Sequence, residues 1–435
     1  MADRALDPLA PETPVPPRIA DQAPRWLRTT FAALALAFLL VPPVLAIARV
    51  SGGPLERERA APSPSLGDGW EAFDQAADYV TQKLPFRAEG VDANTWIADN
   101  VWGRAPDYGK GGPSKALPFE GVQPTTAGGY NRTGGATGGN PVVSTGPNGW
   151  YFLQAEISTL CQPPISVDEA ISRWTSLVRS IRASGRKVVL LIVPEKSTVY
   201  PEQMAKDAPA WDCARANKLR LWSRLADQSD PDIVPLLAPL LALKKRDPSH
   251  LVYLRLNSHW NSTAAILLPK LALQRLGGPV QVRPEDLTER RKHFGSDLGA
   301  FAGHPHAGEY GTKFVVHRPG DAGLRHHGGP LSPITFTHPG NPRTVLQGQT
   351  LFLHDSFGDP EIETFPKYAA HLVFAQWVQT DADKMLQLID NANTVIIETV
   401  ERDFFNRAAQ PGREGAVLTP GFLSALPKQL GPPPR

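Results

Sequence analysis

The chain is poor in cysteine, with two in 435 residues, Cys161 and Cys213, and poor in net charge, at +2. Neither cysteine has a second Cys or a His at ligand spacing, which excludes a thiolate-based zinc site. The balanced charge comes without a polybasic stripe or basic residues interleaved with aromatics, so a nucleic-acid groove is excluded as well. Long hydrophobic runs are also scarce. One stretch, Thr29 to Ala48, is uncharged over about the 20 residues that a bilayer core requires.

That stretch reads as a transmembrane helix. Pro42 and Pro43 interrupt it, and prolines are tolerated in membrane helices where neighbouring groups satisfy the freed backbone. A retained anchor is expected here rather than a cleaved leader. Arginines flank both ends almost equally, so orientation rests on another fact: nearly all the foldable sequence lies after the span. The expected arrangement is a disordered cytoplasmic tail over residues 1–28, an anchor over 29–48, a Pro- and Ser-rich linker over 49–69, and an extracytoplasmic body over 70–430. In an oxidising compartment Cys161 and Cys213 can pair; two buried thiols are the alternative.

What the chain has in excess is proline, 44 residues or about twice the average share, gathered near the termini and in loops. Residues 104–146, dense in Gly, Pro, Asn and Thr, read as an exposed excursion from the body. Beyond Trp150 an α/β pattern sets in. Ser166 and Glu169 form a capping box ahead of Val167, Ile171, Trp174, Val178 and Ile181, which recur at helical spacing up to Gly185. The run Lys187 to Val193 is almost wholly apolar, as in a parallel strand buried on both faces. Helices are expected at Cys213–Leu225, Leu237–Lys245 and Ser262–Leu276, and strands at Asp232–Leu236, Leu251–Leu254, Thr350–Leu353 and Thr394–Glu398. Strands alternating with helices indicate a doubly wound, mostly parallel sheet.

Two segments carry candidate chemistry. Asn257-Ser258-His259-Trp260-Asn261 follows the expected strand Leu251–Leu254, and His354-Asp355-Ser356-Phe357-Gly358 follows Thr350–Leu353. Ligands of open α/β sheets bind outside the carboxyl ends of the strands, so one crevice can hold both. A serine hydroxyl needs an imidazole to take its proton and a third group to orient that imidazole. Ser356 and His259 fit the first two roles, and the N–H groups of Phe357 and Gly358 are candidates to face an oxyanion. Taken singly, an Asp-Ser pair after a strand is ordinarily a helix cap and a lone buried histidine is ordinarily satisfied by backbone. Their joint placement is what argues for function. His304, His306, His326 and His327 lie in Gly-rich loops without carboxylate or cysteine spacing to support a metal.

The segments Leu84-Pro85-Phe86-Arg87, Gly146 to Trp150, Val193-Pro194-Glu195-Lys196 with Tyr200-Pro201-Glu202, Asn257 to Asn261, His354 to Phe357 and Glu398 to Arg402 together resemble the alginate O-acetyltransferase family of SGNH-hydrolase-like proteins. The resemblance runs from about residue 73 to 405. It implies a circularly permuted SGNH-like fold in which an Asp-x-His-Trp motif precedes the serine motif and the three residues form a catalytic triad. Carried over, Ser356 is the nucleophile, His259 the base and Asn257 the third member. The resemblance further implies an extracytoplasmic enzyme, free of cofactor and metal, that passes acetyl groups to hydroxyls of a cell-surface or exopolysaccharide. Its partners are then that polysaccharide and a multi-pass membrane acyltransferase that supplies the acetyl. Membrane-anchored members without a carbohydrate-binding module are the nearer comparison.

Asn257 departs from the pattern, since the family has aspartate there. An asparagine carbonyl can accept the Nδ1–H bond but brings no charge. Three outcomes stay open: a slow transferase, an enzyme whose acid comes from elsewhere in the fold, or a glycan-binding or assembly component without chemistry. A carbohydrate acetyl esterase is a variant of the first.

Overall fold

The computed structural model describes residues 29–30, 143–208, 210–277, 280–302, 304, 307–318, 324–327, 333–338, 345–377, 381–409 and 416–434. Apart from Thr29 and Thr30, which are helical, all of these belong to one compact unit. The rest of the expected span at 29–48, the tail, the linker and residues 104–142 of the excursion lie outside the described residues, as does the Leu84-to-Arg87 segment. No helix among the described residues is long and apolar enough to cross a membrane.

The strands in chain order are β1 (Val143–Thr145), β2 (Tyr151–Leu153), β3 (Lys187–Val193), β4 (Ile233–Pro235), β5 (Leu287–Gly295), β6 (Gly308–Val316), β7 (Arg325–His327), β8 (Ile334–Thr337), β9 (Leu346–His354), β10 (Ala369–Gln376) and β11 (Thr394–Val400). Seven of them form the central sheet in the order β4-β3-β11-β9-β10-β8-β7. The five from β4 to β10 are parallel, and β8 and β7 add an antiparallel edge, so the sheet is mixed. Its centre follows directly from composition. β3 is buried beyond its first residue and β11 along its whole length, and a strand covered on both faces has no position for a solvated side chain. Glu398 is the one charged residue of β11 and is itself fully buried, with its carboxylate used at the site described below.

The helix Val167–Ala183 begins as the sequence predicts: the Ser166 hydroxyl accepts the Glu169 N–H at 3.2 Å. Gly185, at φ +91°, takes the chain out of it in a conformation that L side chains rarely adopt. Trp174 anchors this helix in the core, stacked on Phe404 and edge-on to Trp377, with its indole N–H donated to the Phe404 carbonyl at 2.8 Å. Cys161, at the end of the helix Gln154–Cys161, is disulfide-bonded to Cys213 in the helix Trp211–Asp227. The pairing left open by the sequence is thus made.

Other expectations are corrected. Leu251–Leu254 is not a strand. Val252, Tyr253 and Leu254 are buried, but their backbone bonds go elsewhere: the Val252 N–H donates to the Tyr200 hydroxyl at 3.1 Å, its carbonyl accepts the Asn261 N–H at 3.0 Å, and Tyr253 forms one antiparallel bridge with Trp260. The segment is a tight loop folded back on itself. The helix expected over Ser262–Leu276 divides at Ile266 into Ser262–Ala265 and Leu267–Leu276, the first capped by the Asn261 side chain. The antiparallel hairpin β5–β6 was not foreseen. Residues 288 to 293 of β5 are all exposed, so it lacks the in–out alternation that marks a half-buried strand.

Candidate active site

Ser356 stands two residues past the end of β9, in a turn held by Asp355. One Asp355 carboxylate oxygen accepts the Phe357 N–H at 2.8 Å and the other accepts the N–H of Val400, the last residue of β11, at 2.6 Å. The Asp355 N–H in turn donates to Glu398 Oε2 at 3.1 Å. The turn is therefore fastened to β11, the neighbour of β9 in the sheet. Burial pushes the Asp355 carboxyl up to about 7 against these donors, and burial together with Asp355 pushes Glu398 well above the usual carboxylate range. Gly358 closes the turn, and a Cβ there would sit 2.5 Å from the His354 Cβ, so no larger residue fits without moving the strand end.

The two N–H groups expected to face an oxyanion are both occupied: Phe357 donates to Asp355 Oδ1, and Gly358 donates to the Asp355 carbonyl at 3.1 Å. The turn consumes them to hold its own shape. The Ser356 N–H has no hydrogen-bond acceptor among the described residues, which leaves it for a ligand.

His259 arrives on the folded-back loop. Phe357 is the floor that joins the two segments, with its ring 4.7 Å from the imidazole, and its carbonyl accepts the Trp260 indole N–H at 2.8 Å. Beneath the loop lies Lys196, fully buried, whose ammonium donates to the carbonyls of Tyr151 at 2.6 Å, Arg255 at 2.5 Å and Asn257 at 3.1 Å. Three acceptors match the three protons of a lysine. Burial nevertheless pulls its pKa down to about 7, with Glu156, Asp297 and Glu309 opposing that shift. The Glu309 carboxylate also takes the Leu256 N–H at 2.6 Å.

The structure brings His259 and Ser356 together: Nε2 and Oγ are 2.9 Å apart. It does not bring Asn257 to the imidazole. The Asn257 side chain accepts the backbone N–H of His259 at 2.9 Å and donates to the Gly295 carbonyl at 3.2 Å. The group opposite Nδ1 is Asp297, almost wholly buried at 1% exposure. Its Oδ2 lies 3.3 Å from Nδ1 and accepts the Ser258 hydroxyl, while its Oδ1 accepts the N–H groups of Ser258 at 2.9 Å and Leu298 at 2.8 Å. The Ser258 hydroxyl is also 2.9 Å from Nδ1. Sequence reasoning missed Asp297 because it sits 38 residues beyond His259, in the connection between the hairpin strands β5 and β6, in no recognised motif. The only local signal was Ser296, which caps the short helix Asp297–Phe301.

Next to the site, Arg402 is paired with Glu195 at 2.5 Å and stands over the Phe357 ring, and Lys218 is paired with Glu401 at 3.2 Å. The Val193-to-Lys196 and Glu398-to-Arg402 segments thus serve as buried supports rather than as reacting groups.

Residues 143–304 match the model of the SGNH hydrolase-like domain of acetyltransferase AlgX, a stretch that includes His259 and Asp297 and ends before Ser356. A probable alginate O-acetylase AlgJ from Pseudomonas aeruginosa is 29% identical over 149 residues, 33% of this chain and 34% of that protein. The Pseudomonas putida protein of the same name is 30% identical over 132 residues, 29% of this chain and 32% of its own. The chain spans about a third of the length of the curated relatives it matches. Among solved structures, the O-acetyltransferase domain of Pseudomonas putida AlgJ aligns at 18% identity with a TM-score of 0.38, covering 66% of this chain and 98% of that one. Over this part of its length the chain is similar to the SGNH hydrolase-like domain of acetyltransferase AlgX and to the alginate O-acetylases AlgJ.

Proposed function

We propose that this protein is an O-acetyltransferase acting through an acetyl-serine at Ser356. The observation that carries the reading is the 2.9 Å separation of His259 Nε2 from Ser356 Oγ in a family of O-acetylases. In the first half-reaction Oγ bonds to the acetyl carbonyl of a donor as its proton passes to Nε2. The donor's C–O bond then breaks, and the leaving oxygen takes that proton. The second half-reaction reverses the roles: a glycan hydroxyl gives its proton to Nε2 and attacks the acetyl-serine, and Oγ leaves with the proton. The Ser356 N–H, which has no acceptor among the described residues, supplies one donor for the oxyanion in both halves. If water were the acceptor, the same chemistry would be that of an esterase.

The acceptor in this proposal is an acidic exopolysaccharide of the alginate kind, following the relatives' names. The site works outside the cytoplasm, tethered by residues 29–48 and supplied with acetyl by a multi-pass membrane acyltransferase. Disulfide-bonded Cys161 and Cys213 support that compartment. The test is incubation of the full-length protein with p-nitrophenyl acetate, with and without an oligosaccharide acceptor, followed by mass analysis of quenched samples. An acetyl adduct on Ser356 that discharges faster with acceptor present supports the transferase. Discharge indifferent to acceptor indicates the esterase, and the absence of both adduct and turnover indicates a binding component.

A further inference from the structure

We propose that the acid of this site has changed its place in the chain: Asp297, acting with the Ser258 hydroxyl, orients the His259 imidazole, and Asn257 is a brace for the loop. This rests on the acyl-transfer reading for its kinetic part but not for its structural part. The argument is one of proton accounting. A hydroxyl has a single proton, and that of Ser258 is donated to Asp297 Oδ2, which as a carboxylate oxygen can only accept. The Ser258 oxygen therefore faces Nδ1, 2.9 Å away, with a lone pair. Asp297 Oδ2, 3.3 Å from the same nitrogen, is likewise an acceptor. With acceptors on that side, Nδ1 carries the ring proton. Nε2 then presents its lone pair to Ser356 Oγ, which is the tautomer a general base needs.

Three donors converge on Asp297: the Ser258 N–H, the Leu298 N–H and the Ser258 hydroxyl. They fix the carboxylate in place, so it can in turn fix the ring. Asn257 meanwhile does what aspartate could not. It accepts from the His259 N–H with its carbonyl and donates to the Gly295 carbonyl with its amide. That second bond ties the histidine loop to the end of β5, two residues before Asp297. An aspartate at 257 would lose this donor and set a carboxylate oxygen against the Gly295 carbonyl oxygen, two acceptors facing each other.

The experiment combines kinetics with spectroscopy on the full-length protein carrying ¹⁵N-labelled histidine, the His259 signals being assigned by their loss in His259→Gln. The expected wild-type ¹⁵N shifts are those of an Nδ1–H imidazole. Asp297→Asn is expected to disturb that pattern and to lower kcat for p-nitrophenyl acetate by about 10³- to 10⁴-fold with little change in KM. Ser258→Ala is expected to cost about tenfold, since the carboxylate remains within reach of Nδ1. Asn257→Asp is expected to lower activity rather than raise it. Circular dichroism and thermal unfolding confirm that each variant is folded. An Nδ1–H tautomer that Asp297→Asn disturbs, in a wild type without turnover, supports the positioning of the ring while overturning the transferase reading. An Nε2–H tautomer in the wild type overturns the inference. So does Asp297→Asn activity within a few-fold of wild type, or a gain of activity in Asn257→Asp.

Discussion

The turn carrying Ser356 and the loop carrying His259 meet at two hydrogen bonds, His259 to Ser356 and Trp260 to the Phe357 carbonyl, but are secured in different ways. Ser356 is held by the sheet: β9 delivers it, and Asp355 bonds the turn to the end of β11. His259 is held by side chains. Its loop takes part in the central sheet nowhere, and Lys196, Glu309 and Asn257 satisfy the backbone groups that a ladder would otherwise have paired. A polar group buried away from water has to find a partner, and an irregular loop finds its partners in side chains. The position of Ser356 is therefore as stable as the strands, whereas that of His259 depends on a few individual residues.

The strongest way to break the comparison is Lys196→Met. Removing the ammonium takes the lysine donor from the carbonyls of Tyr151 and Asn257 and leaves the Arg255 carbonyl with the Tyr151 N–H alone, beneath the histidine loop and away from the Ser356 turn. We expect a loss of about 3 kcal/mol in denaturant unfolding. We also expect roughly a 10²-fold fall in kcat, because the base is displaced. Unchanged kcat in a folded variant would show that the loop stands without its lysine.

A second, intermediate effect separates the halves by pH. Asp355 is raised from 3.8 to about 7, so between those values the unfolded chain has given up a proton that the folded protein keeps, and stability falls as pH rises through that window. Lys196 is lowered from 10.5 to about 7, so between about 7 and 10.5 the unfolded chain holds the proton the folded protein has released, and stability rises with pH. Chemical unfolding across pH 4 to 10 is expected to show Asp355→Asn flattening the lower limb and Lys196→Met the upper one. If both variants altered the same limb, the two halves would not be electrostatically separate.

The smallest expected effect concerns the seam. Trp260→Phe removes the indole N–H donated to the Phe357 carbonyl, a bond that runs directly between the halves. A cost of about 1 kcal/mol in unfolding and a few-fold loss in kcat are expected. A larger kinetic loss than Lys196→Met would place the seam above the loop in importance.

What could be read from the sequence follows the same division. β3 and β11 announce themselves by unbroken apolar runs, and the capped helix Val167–Ala183 by its 3.6-residue period, because burial by regular structure leaves a periodic trace. Ser356 could be placed because a strand leads into it. Leu251–Leu254 misled, since its residues are as apolar as a strand's while its backbone partners are a tyrosine hydroxyl and a later turn. The hairpin β5–β6 left no alternation to detect. Asp297 was illegible for a further reason: its relation to His259 exists only after that hairpin has folded.

That placement bears on how loss of activity is judged among relatives. Scored by pattern, Asn257 marks a site that has shed its acid and, with it, its chemistry. Scored by position in space, a buried carboxylate still stands behind the imidazole, supplied by a different part of the chain. A single letter changed within a motif is thus poor grounds for naming a dead enzyme. The sounder criterion is whether any carboxylate occupies that point, whichever residue brings it.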